Sequence, residues 1–338
     1  MKKYLILLFF LIINQTISFA QIITGTVFDK TTNETLEGAS VYFDGTTIGS
    51  ITDIYGNYKI DISKSSNAPL VISFIGYKTK VFQLNNIEDN FKIYLDENPD
   101  ELNEVFLETD IWSREKKMRF FKSEFLGKTI SARYCRIVNQ KDISLRYNSS
   151  NNTLLAFSDK PIIVINKYLG YKTTYNLIDF EIEFANNSQT NPYPFKVYYS
   201  GTSFFSELNK KNKKKYFSNR EKAYLGSLIH FMRALSNKQL TENNFDVYYK
   251  AKLVFPYKYF DINKEDKLTR VKMLVNRLII LYNNTTQSSM DFSKNYRDII
   301  IDKNGNHSIS NNQLFGGDFG IKRISEMLPL NYNSNSLE

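Results

Sequence analysis

The chain has 338 residues, of which 42% are hydrophobic and 15% are aromatic, so its composition excludes a disordered or collagen-like protein. Its formal net charge is +9, and its single cysteine, Cys135, excludes a framework of internal disulfides and gives no reason to expect disulfide-linked subunits. The length allows two or three domains.

The first 20 residues have the three zones of an export signal. Lys2 and Lys3 are positively charged, Tyr4–Ile13 is apolar, and Ser18-Phe19-Ala20 places small residues at the −3 and −1 positions of a cleavage site. The apolar run is short for a membrane span of about 20 residues. We therefore predict a signal peptide over 1–20 and export to the periplasm or outer membrane. The cell surface and a retained N-terminal anchor are alternatives.

Seven short strands are predicted between residues 21 and 96, because alternating apolar positions are separated there by turns rich in Gly, Asp and Asn. This spacing predicts an antiparallel β-sandwich of the transthyretin or immunoglobulin type as the first domain, 21–96. The predicted strands are Ile22–Phe28, Ala39–Phe43, Thr46–Ile51, Tyr58–Ile62, Leu70–Phe74, Thr79–Leu84 and Phe91–Leu95.

The turns and buried positions of this region form a dense pattern, made by Gly25, Val27, Asp29, Gly38, Ala39, Val41, Gly45, Thr46, Gly49, Thr52, Asp53, Gly56, Tyr58, Phe74, Gly76 and Tyr77. The pattern resembles the carboxypeptidase-regulatory-like domain, a transthyretin-like β-sandwich that is common at the N-terminus of exported Bacteroidetes proteins. Leu36 departs from it, since the family often has Pro there. The resemblance implies a non-catalytic module, because the zinc ligands and base of the peptidase lie in a separate domain.

Three aspartates of this domain could cap turns or bind calcium. Asp29, Asp44 and Asp53 each stand at a predicted turn, where a carboxylate can accept backbone N–H groups. We interpret them as turn caps, with calcium binding as the alternative.

A linker is predicted at 97–110, where Pro99 and an acidic cluster interrupt the alternation. Leu102-Asn103-Glu104-Val105 resembles the segment that follows this module in TonB-dependent outer-membrane receptors. We expect the roughly 230 residues that follow to be too few for a receptor barrel of about 22 strands. An accessory of TonB-dependent uptake is therefore one alternative function.

Residues 111–333 are predicted to form a mainly antiparallel α+β domain, which makes the whole chain mainly β. Phe125-Leu126-Gly127 and Ala156–Pro161 resemble uncharacterised C-terminal regions that accompany the sandwich in Bacteroidetes. Cys135 lies in an alternating run and is predicted to be a buried strand residue. The predicted strands are Thr129–Val138, Ile143–Tyr147, Leu154–Phe157, Pro161–Asn166, Lys172–Phe184, Phe195–Ser200, Asp246–Phe255, Val271–Asn283 and Tyr296–Ile301.

Two long helices and a short closing helix are predicted in the same region. The first is Trp112–Leu126, which Gly127 should end. The second is Ser218–Leu235, where Ser218 and Glu221 have the spacing of a capping box. Ile321–Leu328 is predicted to close the domain.

The sequence contains no pattern typical of a metalloprotease, a serine hydrolase or a nucleotide-binding site. The two histidines, His230 and His307, do not by themselves indicate a metal site. A hydrolase using Ser227 or Ser158 with His230 and Asp159 is the catalytic alternative, since Ser227 and His230 are three residues apart on a predicted helix. We interpret these residues as a polar helix edge and a turn. No catalytic, cofactor-binding or metal-binding residue is predicted, and no cofactor.

Binding is the function that the sequence favours. Aromatic patches at Tyr193–Tyr199, Tyr248-Tyr249 and Phe255–Phe260 could line a groove, although core filling is the alternative for each ring. The basic run Lys210–Lys215 lacks the aromatics that nucleic acid binding uses, so we interpret it as a solvated loop, with anionic lipid or polysaccharide contact as the alternative. We predict a non-enzymatic envelope protein that binds another envelope protein or a glycan, associates peripherally with the outer membrane, and binds no nucleic acid.

Overall fold

The protein is mainly β, as predicted, and consists of three bodies: a sandwich, a sheet covered by a helix, and a pair of facing sheets. The predicted signal peptide, the Leu102–Val105 segment and part of the basic run lie outside the residues that the computed structural model describes. Within those residues, no helix has the length and apolar character needed to cross a membrane. The described residues are 22–62, 68–83, 87, 90–98, 110–185, 192–208, 213–265, 268–292, 297–307 and 313–333.

The first body is the predicted sandwich, and each of its seven predicted strands is present. The strands are β1 Ile22–Asp29, β2 Ser40–Phe43, β3 Gly49–Ile51, β4 Asn57–Asp61, β5 Leu70–Ser73, β6 Lys80–Phe82 and β7 Phe91–Leu95. One sheet has the order β4-β1-β7 and the other β3-β2-β5-β6. The prediction of wholly antiparallel pairing is wrong at one place, since β7 pairs with β1 in parallel. The chain crosses from β6 in the other sheet before joining β1, and this crossing allows the parallel direction.

Gly25 shows why a glycine is required inside this sandwich. It pairs in register with Tyr58 on β4, and the Tyr58 side chain covers it. A Cβ atom on Gly25 would lie 2.2 Å from the Phe91 carbonyl oxygen and 2.5 Å from the Tyr58 hydroxyl. Any side chain here would therefore push β1 away from both of its neighbours.

The second body is a six-stranded sheet with a helix across one face. Its strands are β8 Cys135–Ile137, β9 Ser144–Asn148, β10 Thr153–Phe157, β11 Ile162–Asn166, β12 Tyr171–Phe184 and β13 Pro194–Glu207. Strand β12 pairs with β13 along its length, with β11 near its start and with β10 near its end. Helix α1, Arg114–Leu126, packs Phe121 and Phe125 against the sheet, where both are fully buried. The predicted helix is confirmed, and it ends at Gly127 as expected.

The prediction of a strand over Thr129–Val138 is wrong. The chain forms a short helix, α2 Ile130–Arg133, and only then enters β8. The helix is held by tertiary contacts, because the Ser131 hydroxyl donates to the Ser325 carbonyl at 2.6 Å. Cys135 does lie on a strand, but it is half-buried rather than fully buried, and burial raises the pKa of its thiol to about 12.

The prediction of one helix over Ser218–Leu235 is also wrong. The chain forms α3 Lys213–Tyr224 and α4 Leu228–Ser236, with Gly226 between them at φ 71°. A Cβ atom on Gly226 would lie 2.6 Å from the Tyr282 ring. Ser218 consequently lies inside α3, so it caps no helix.

The third body encloses the second large core of the C-terminal region. Its strands are β14 Phe245–Tyr249, β15 Lys252–Val254, β16 Phe260–Glu265, β17 Leu268–Met273, β18 Arg277–Tyr282, β19 Thr286–Phe292, β20 Asp298–Asp302 and β21 Gln313–Gly317. One sheet has the order β15-β14-β18-β19-β21 and the other β16-β17-β20, and α4 packs Phe231 and Leu235 into the core around them.

Two long predicted strands prove to be pairs of shorter ones. Asp246–Phe255 is the β14–β15 hairpin, and Val271–Asn283 splits into β17 and β18, which belong to different sheets. Strands β16, β19 and β21 were not predicted. The predicted closing helix is instead α5, Asp318–Ile321, followed by a 3-10 turn at Ile324–Glu326.

Candidate functional site

His230 is held as a neutral, buried side chain. Its Nδ1 accepts the Gly226 backbone N–H at 3.1 Å, so Nε2 carries the proton and donates to Asn243 Oδ1 at 3.0 Å. Burial lowers the pKa of His230, and the rings of Tyr224 and Phe245 lie 4.8 and 5.0 Å from its own. Both ring nitrogens are therefore used inside the protein.

The Ser227–His230 pair that the hydrolase alternative requires is not formed in this geometry. Ser227 is the N-cap of α4, and its Oγ accepts the His230 backbone N–H at 3.2 Å rather than contacting the imidazole. Ser158 donates to the Lys160 carbonyl at 2.7 Å in a turn of the second body. The residues therefore have the polar-edge and turn roles that the sequence favoured. In the described part of the chain, no three His, Cys, Asp or Glu residues are grouped to hold a metal ion.

One open cleft runs beside α1. It has a volume of about 580 Å³ and lies between the helix and the 3-10 turn Gln140–Asp142. We call it the α1 groove, and it is lined by Arg114, Glu115, Met118, Arg119, Lys122, Gln140 and Lys141. Its volume lies within the range of about 300–1,000 Å³ that is usual for small-ligand sites.

The walls of the α1 groove are tied together by a lining residue. Arg114 Nη2 donates to the carbonyl oxygens of Gln140 at 2.9 Å and Ile143 at 3.0 Å, which fixes the turn against the helix. Ser113 caps the helix by accepting the Lys116 backbone N–H at 3.3 Å. The groove is therefore built from bonded secondary structure, which fixes the backbone of its two walls relative to each other.

The α1 groove is strongly basic. Four cations line it, and Glu115 is the single carboxylate among its lining residues. Within the described residues, Arg119, Lys122 and Lys141 have no carboxylate partner. Backbone N–H and Ser113 hydrogen bonds at the start of the helix lower the pKa of Glu115, which stays ionised. The groove can therefore attract an anion.

No residue of the α1 groove was predicted to bind a ligand. The available signal was the basic character of the predicted helix, where Arg114, Arg119 and Lys122 interrupt the apolar positions. The second wall could not be found in the same way, since Gln140 and Lys141 reach the helix only through the fold of the sheet.

A second cleft, of about 450 Å³, lies on the sandwich. It is polar, but its groups bond to one another: Thr26 donates to Asn57 Oδ1 at 2.8 Å, and Thr24 donates to Asn90 Oδ1 at 3.1 Å. These groups are less available to a ligand than the cations beside α1.

Two of the three predicted turn caps are confirmed. Asp29 accepts the Thr31 and Thr32 backbone N–H groups, and Asp53 accepts those of Tyr55 and Asn57. Asp29 also accepts the Tyr77 hydroxyl through its other carboxylate oxygen at 2.6 Å.

Asp44 has a different role from the predicted turn cap, because it bonds across to the second body. It accepts the backbone N–H of Ser203 on β13 at 2.7 Å. Burial raises the pKa of Asp44 to about 6.

A continuous seam joins the sandwich to the rest of the protein, and Asp44 is part of it. The Gly45 N–H donates to the Ser203 carbonyl at 2.7 Å, and the Phe205 N–H donates to the Thr46 carbonyl at 3.0 Å. The buried Tyr42 hydroxyl contacts Thr202 Oγ1 at 3.0 Å. The turn of the sandwich therefore pairs with β13 much as a short added strand would.

The chain's C-terminal segment reinforces the seam. The Leu330 N–H donates to the Gly45 carbonyl at 2.7 Å. Arg233 on α4 donates to the carbonyl oxygens of Leu330 at 2.9 Å, Tyr332 at 3.1 Å and Asn304 at 2.8 Å. One arginine thereby links the third body, the C-terminal segment and, through Leu330, the sandwich.

Two of the three predicted aromatic patches meet in the third body, where the Tyr249 and Tyr259 rings pack with centroids 4.6 Å apart, while the third patch lies on the second body. Tyr193 and Phe195 are 72% and 75% exposed at the start of β13. Phe255 is 70% exposed beside the β14–β15 hairpin of the third body, whereas Phe260 is buried. Lys214, from the basic run, is exposed in the first turn of α3.

The fold defines a mainly β protein whose N-terminal sandwich is fixed to a larger C-terminal region. Residues 23–107 match the family model of the CarboxypepD_reg-like domain, so the sandwich is a carboxypeptidase-regulatory-like domain, as predicted. The match extends beyond the predicted boundary at residue 96.

Comparison with known proteins adds little for the C-terminal region. No curated protein matches the chain. A matching solved structure is that of a protein from Bacteroides uniformis ATCC 8492 proposed to bind carbohydrate, with 9% identity over 88% of this chain and 98% of that chain. Its TM-score of 0.17 carries no argument about fold or function.

Proposed function

We propose that this protein is an exported, non-enzymatic component of the cell envelope that binds a glycan or another envelope protein through the α1 groove. The observation that carries the proposal is the groove itself, which presents four cations against one carboxylate on fixed walls. The zones of residues 1–20 support export, and the regulatory-like domain supports a binding role.

Binding is favoured over catalysis by how the reactive side chains are used. Both ring nitrogens of His230 are hydrogen-bonded, Nδ1 to the Gly226 backbone N–H and Nε2 to Asn243 Oδ1. Cys135 has a pKa raised to about 12 by burial, so its thiol is not poised as a nucleophile. Neither side chain lines the α1 groove.

The regulatory-like domain serves as a support in this proposal. Its turn from Tyr42 to Thr47 is bonded to β13 and to the C-terminal segment, which fixes its orientation relative to the second body. The groove lies in the second body, so the sandwich provides a rigid partner rather than the binding surface.

Sedimentation with isolated envelope fragments tests this function. Purified protein is mixed with the fragments, and the fraction that pellets is measured for the wild type and for the double variant Arg119→Gln/Lys122→Gln. We expect the wild type to pellet and the variant to bind about thirtyfold more weakly, because two cations near an anionic surface contribute about 1 kcal/mol each.

The matched control is Lys214→Gln/Lys215→Gln, which removes the same charge from the exposed start of α3. We expect it to pellet like the wild type. Equal binding by all three proteins, or no binding by the wild type, would contradict the proposal. Hydrolysis of envelope glycans or peptides by the purified protein would contradict its non-enzymatic part.

A further inference from the structure

We infer that the ligand of the α1 groove is an acidic polysaccharide whose repeated carboxylates pair with Arg119, Lys122 and Lys141. This inference rests on the proposed function and specifies its ligand. It is carried by the charge of the groove, by the spacing of its cations and by the absence of an apolar anchor among its lining residues.

The three cations lie on both walls of the groove rather than at one point. Arg119 and Lys122 are three residues apart on α1, which places their backbone positions about 4.5 Å apart along the helix axis. Lys141 lies on the opposite wall. A ligand with one charge could reach only part of this arrangement. A polymer that carries a negative charge at regular intervals can contact all of these cations.

Nearby acidic groups leave the cations available. Glu115 is bonded at the start of the helix, as described above. Asp142, next to Lys141, accepts from Asn139 at 3.1 Å and lies 3.6 Å from the Lys160 ammonium. The groove therefore keeps a net positive charge, with four cations against the one ionised carboxylate of Glu115.

The aromatic side chains next to the groove are committed to the core. Trp112 is buried and stacks on Tyr147 with ring centroids 3.8 Å apart, and Lys116 covers it at 3.9 Å. Phe120 packs against Trp112 and Phe184. A nucleic acid or neutral sugar would therefore find no free ring to stack on.

The groove also lacks the apolar centre that protein partners use. Met118 is the single apolar lining residue, and it is only 9% exposed. Protein interfaces usually depend on a central cluster of buried aromatic or aliphatic anchors. A hydrophilic, negatively charged polymer matches the groove better than a protein surface does.

Calorimetry with defined polymers tests the ligand class. The protein is titrated with polygalacturonate, and with dextran as the neutral polymer, at low salt. We expect polygalacturonate to bind, dextran not to bind, and affinity to fall as salt is raised, because exposed charges are screened by ions. Vesicles of phosphatidylglycerol are the third probe.

Two variants locate the contact. We expect Arg119→Gln/Lys122→Gln to weaken polygalacturonate binding about thirtyfold, since it removes two cations of about 1 kcal/mol each from the groove. Lys214→Gln/Lys215→Gln is expected to bind like the wild type. Glu115→Gln is expected to bind about twofold to threefold more tightly, because it removes the groove's carboxylate. Circular dichroism confirms that each variant is folded.

The following outcomes would overturn the inference. Failure of polygalacturonate to bind would refute the ligand class, and equal binding of dextran would refute the ionic mechanism. Loss of binding in Lys214→Gln/Lys215→Gln alone would move the site to α3, and groove-dependent binding of vesicles but not polygalacturonate would indicate a membrane. If polygalacturonate fails while envelope sedimentation still depends on Arg119 and Lys122, the proposed function stands without this ligand.

Discussion

The seam of the sandwich and the α1 groove both present polar groups, but they use them in opposite ways. In the seam, Tyr42 and Asp44 are largely buried, and each bonds to a group of the second body. In the groove, Arg119 and Lys141 are exposed and have no carboxylate partner within the described residues. Buried polar groups are costly unless bonded, whereas exposed cations cost the fold little.

This contrast separates the structural contribution of a residue from its binding contribution. A change in the seam should lower the free energy of unfolding or alter the docking of the sandwich. A change in the groove should leave that free energy nearly constant and affect binding only. Variants of the groove can therefore serve as controls for variants of the seam, and variants of the seam as controls for those of the groove.

The largest effect is expected at Arg233, which links the third body to the C-terminal segment and, through Leu330, to the sandwich. Arg233→Ala removes hydrogen bonds to three carbonyl oxygens, including that of Leu330, and we expect it to lower the free energy of unfolding by about 3 kcal/mol. Urea denaturation measures this value. Arg277→Ala is the control, because its ion pair with Asp291 is exposed and should contribute less than about 1 kcal/mol. Equal losses in the two variants would refute the role of Arg233.

A smaller loss of unfolding free energy is expected when one hydroxyl of the seam is removed. Tyr42→Phe removes the hydroxyl that contacts Thr202 and accepts from Asn176, which then keep only their 3.3 Å bond to each other, and we expect the free energy of unfolding to fall by about 1–2 kcal/mol. Tyr55→Phe removes a hydroxyl from a side chain that is 66% exposed and should have no measurable effect. A stable Tyr42→Phe variant would mean that the seam hydroxyl does not hold the domains.

The seam should also respond to pH through Asp44. Burial raises its pKa from the ordinary 3.8 to about 6 in the folded protein. A raised folded-state pKa stabilises the fold most below pH 4, and this contribution is lost as pH rises through 6. Relative to Asp44→Asn, we expect the wild type to gain about 1 kcal/mol of unfolding free energy between pH 7 and pH 5. A pH-independent difference between the two proteins, measured by urea denaturation, would contradict this assignment.

The smallest stability effect is expected in the groove. Arg119→Gln/Lys122→Gln should change the free energy of unfolding by less than about 0.5 kcal/mol, because both side chains lack a carboxylate partner. Thermal and urea denaturation measure the change. A loss as large as that of Tyr42→Phe would show that these cations hold the fold, and the contrast between the two regions would fail.

Local turn chemistry explains how much of the sandwich could be predicted. Its strands alternate regularly, and the turns at Asp29 and Asp53 are closed by their own side chains within a few residues. Asp44 looks equivalent in the sequence, yet its partner, Ser203, is far along the chain. A local pattern therefore identifies the turn but not the residue that the turn docks against.

Tertiary contacts explain the failures in the C-terminal region. The run Thr129–Val138 alternates like a strand, but the contact of Ser131 with Ser325 favours a short helix. The break at Gly226 separates α3 from α4, although the flanking residues suit one helix. The basic residues of α1 were visible in the sequence, whereas the facing turn Gln140–Asp142 is brought to them by the sheet.

Lysine acetylation tests most directly whether the α1 groove is the surface that contacts the envelope. The protein is treated with an acetylating reagent in the presence and absence of envelope fragments, and the modification of each lysine is measured by mass spectrometry. We expect Lys122 and Lys141 to be protected by the fragments while Lys214 and Lys215 react equally in both samples. Unchanged reactivity at Lys122 and Lys141, or protection at Lys214 and Lys215 instead, would contradict the assignment of the groove.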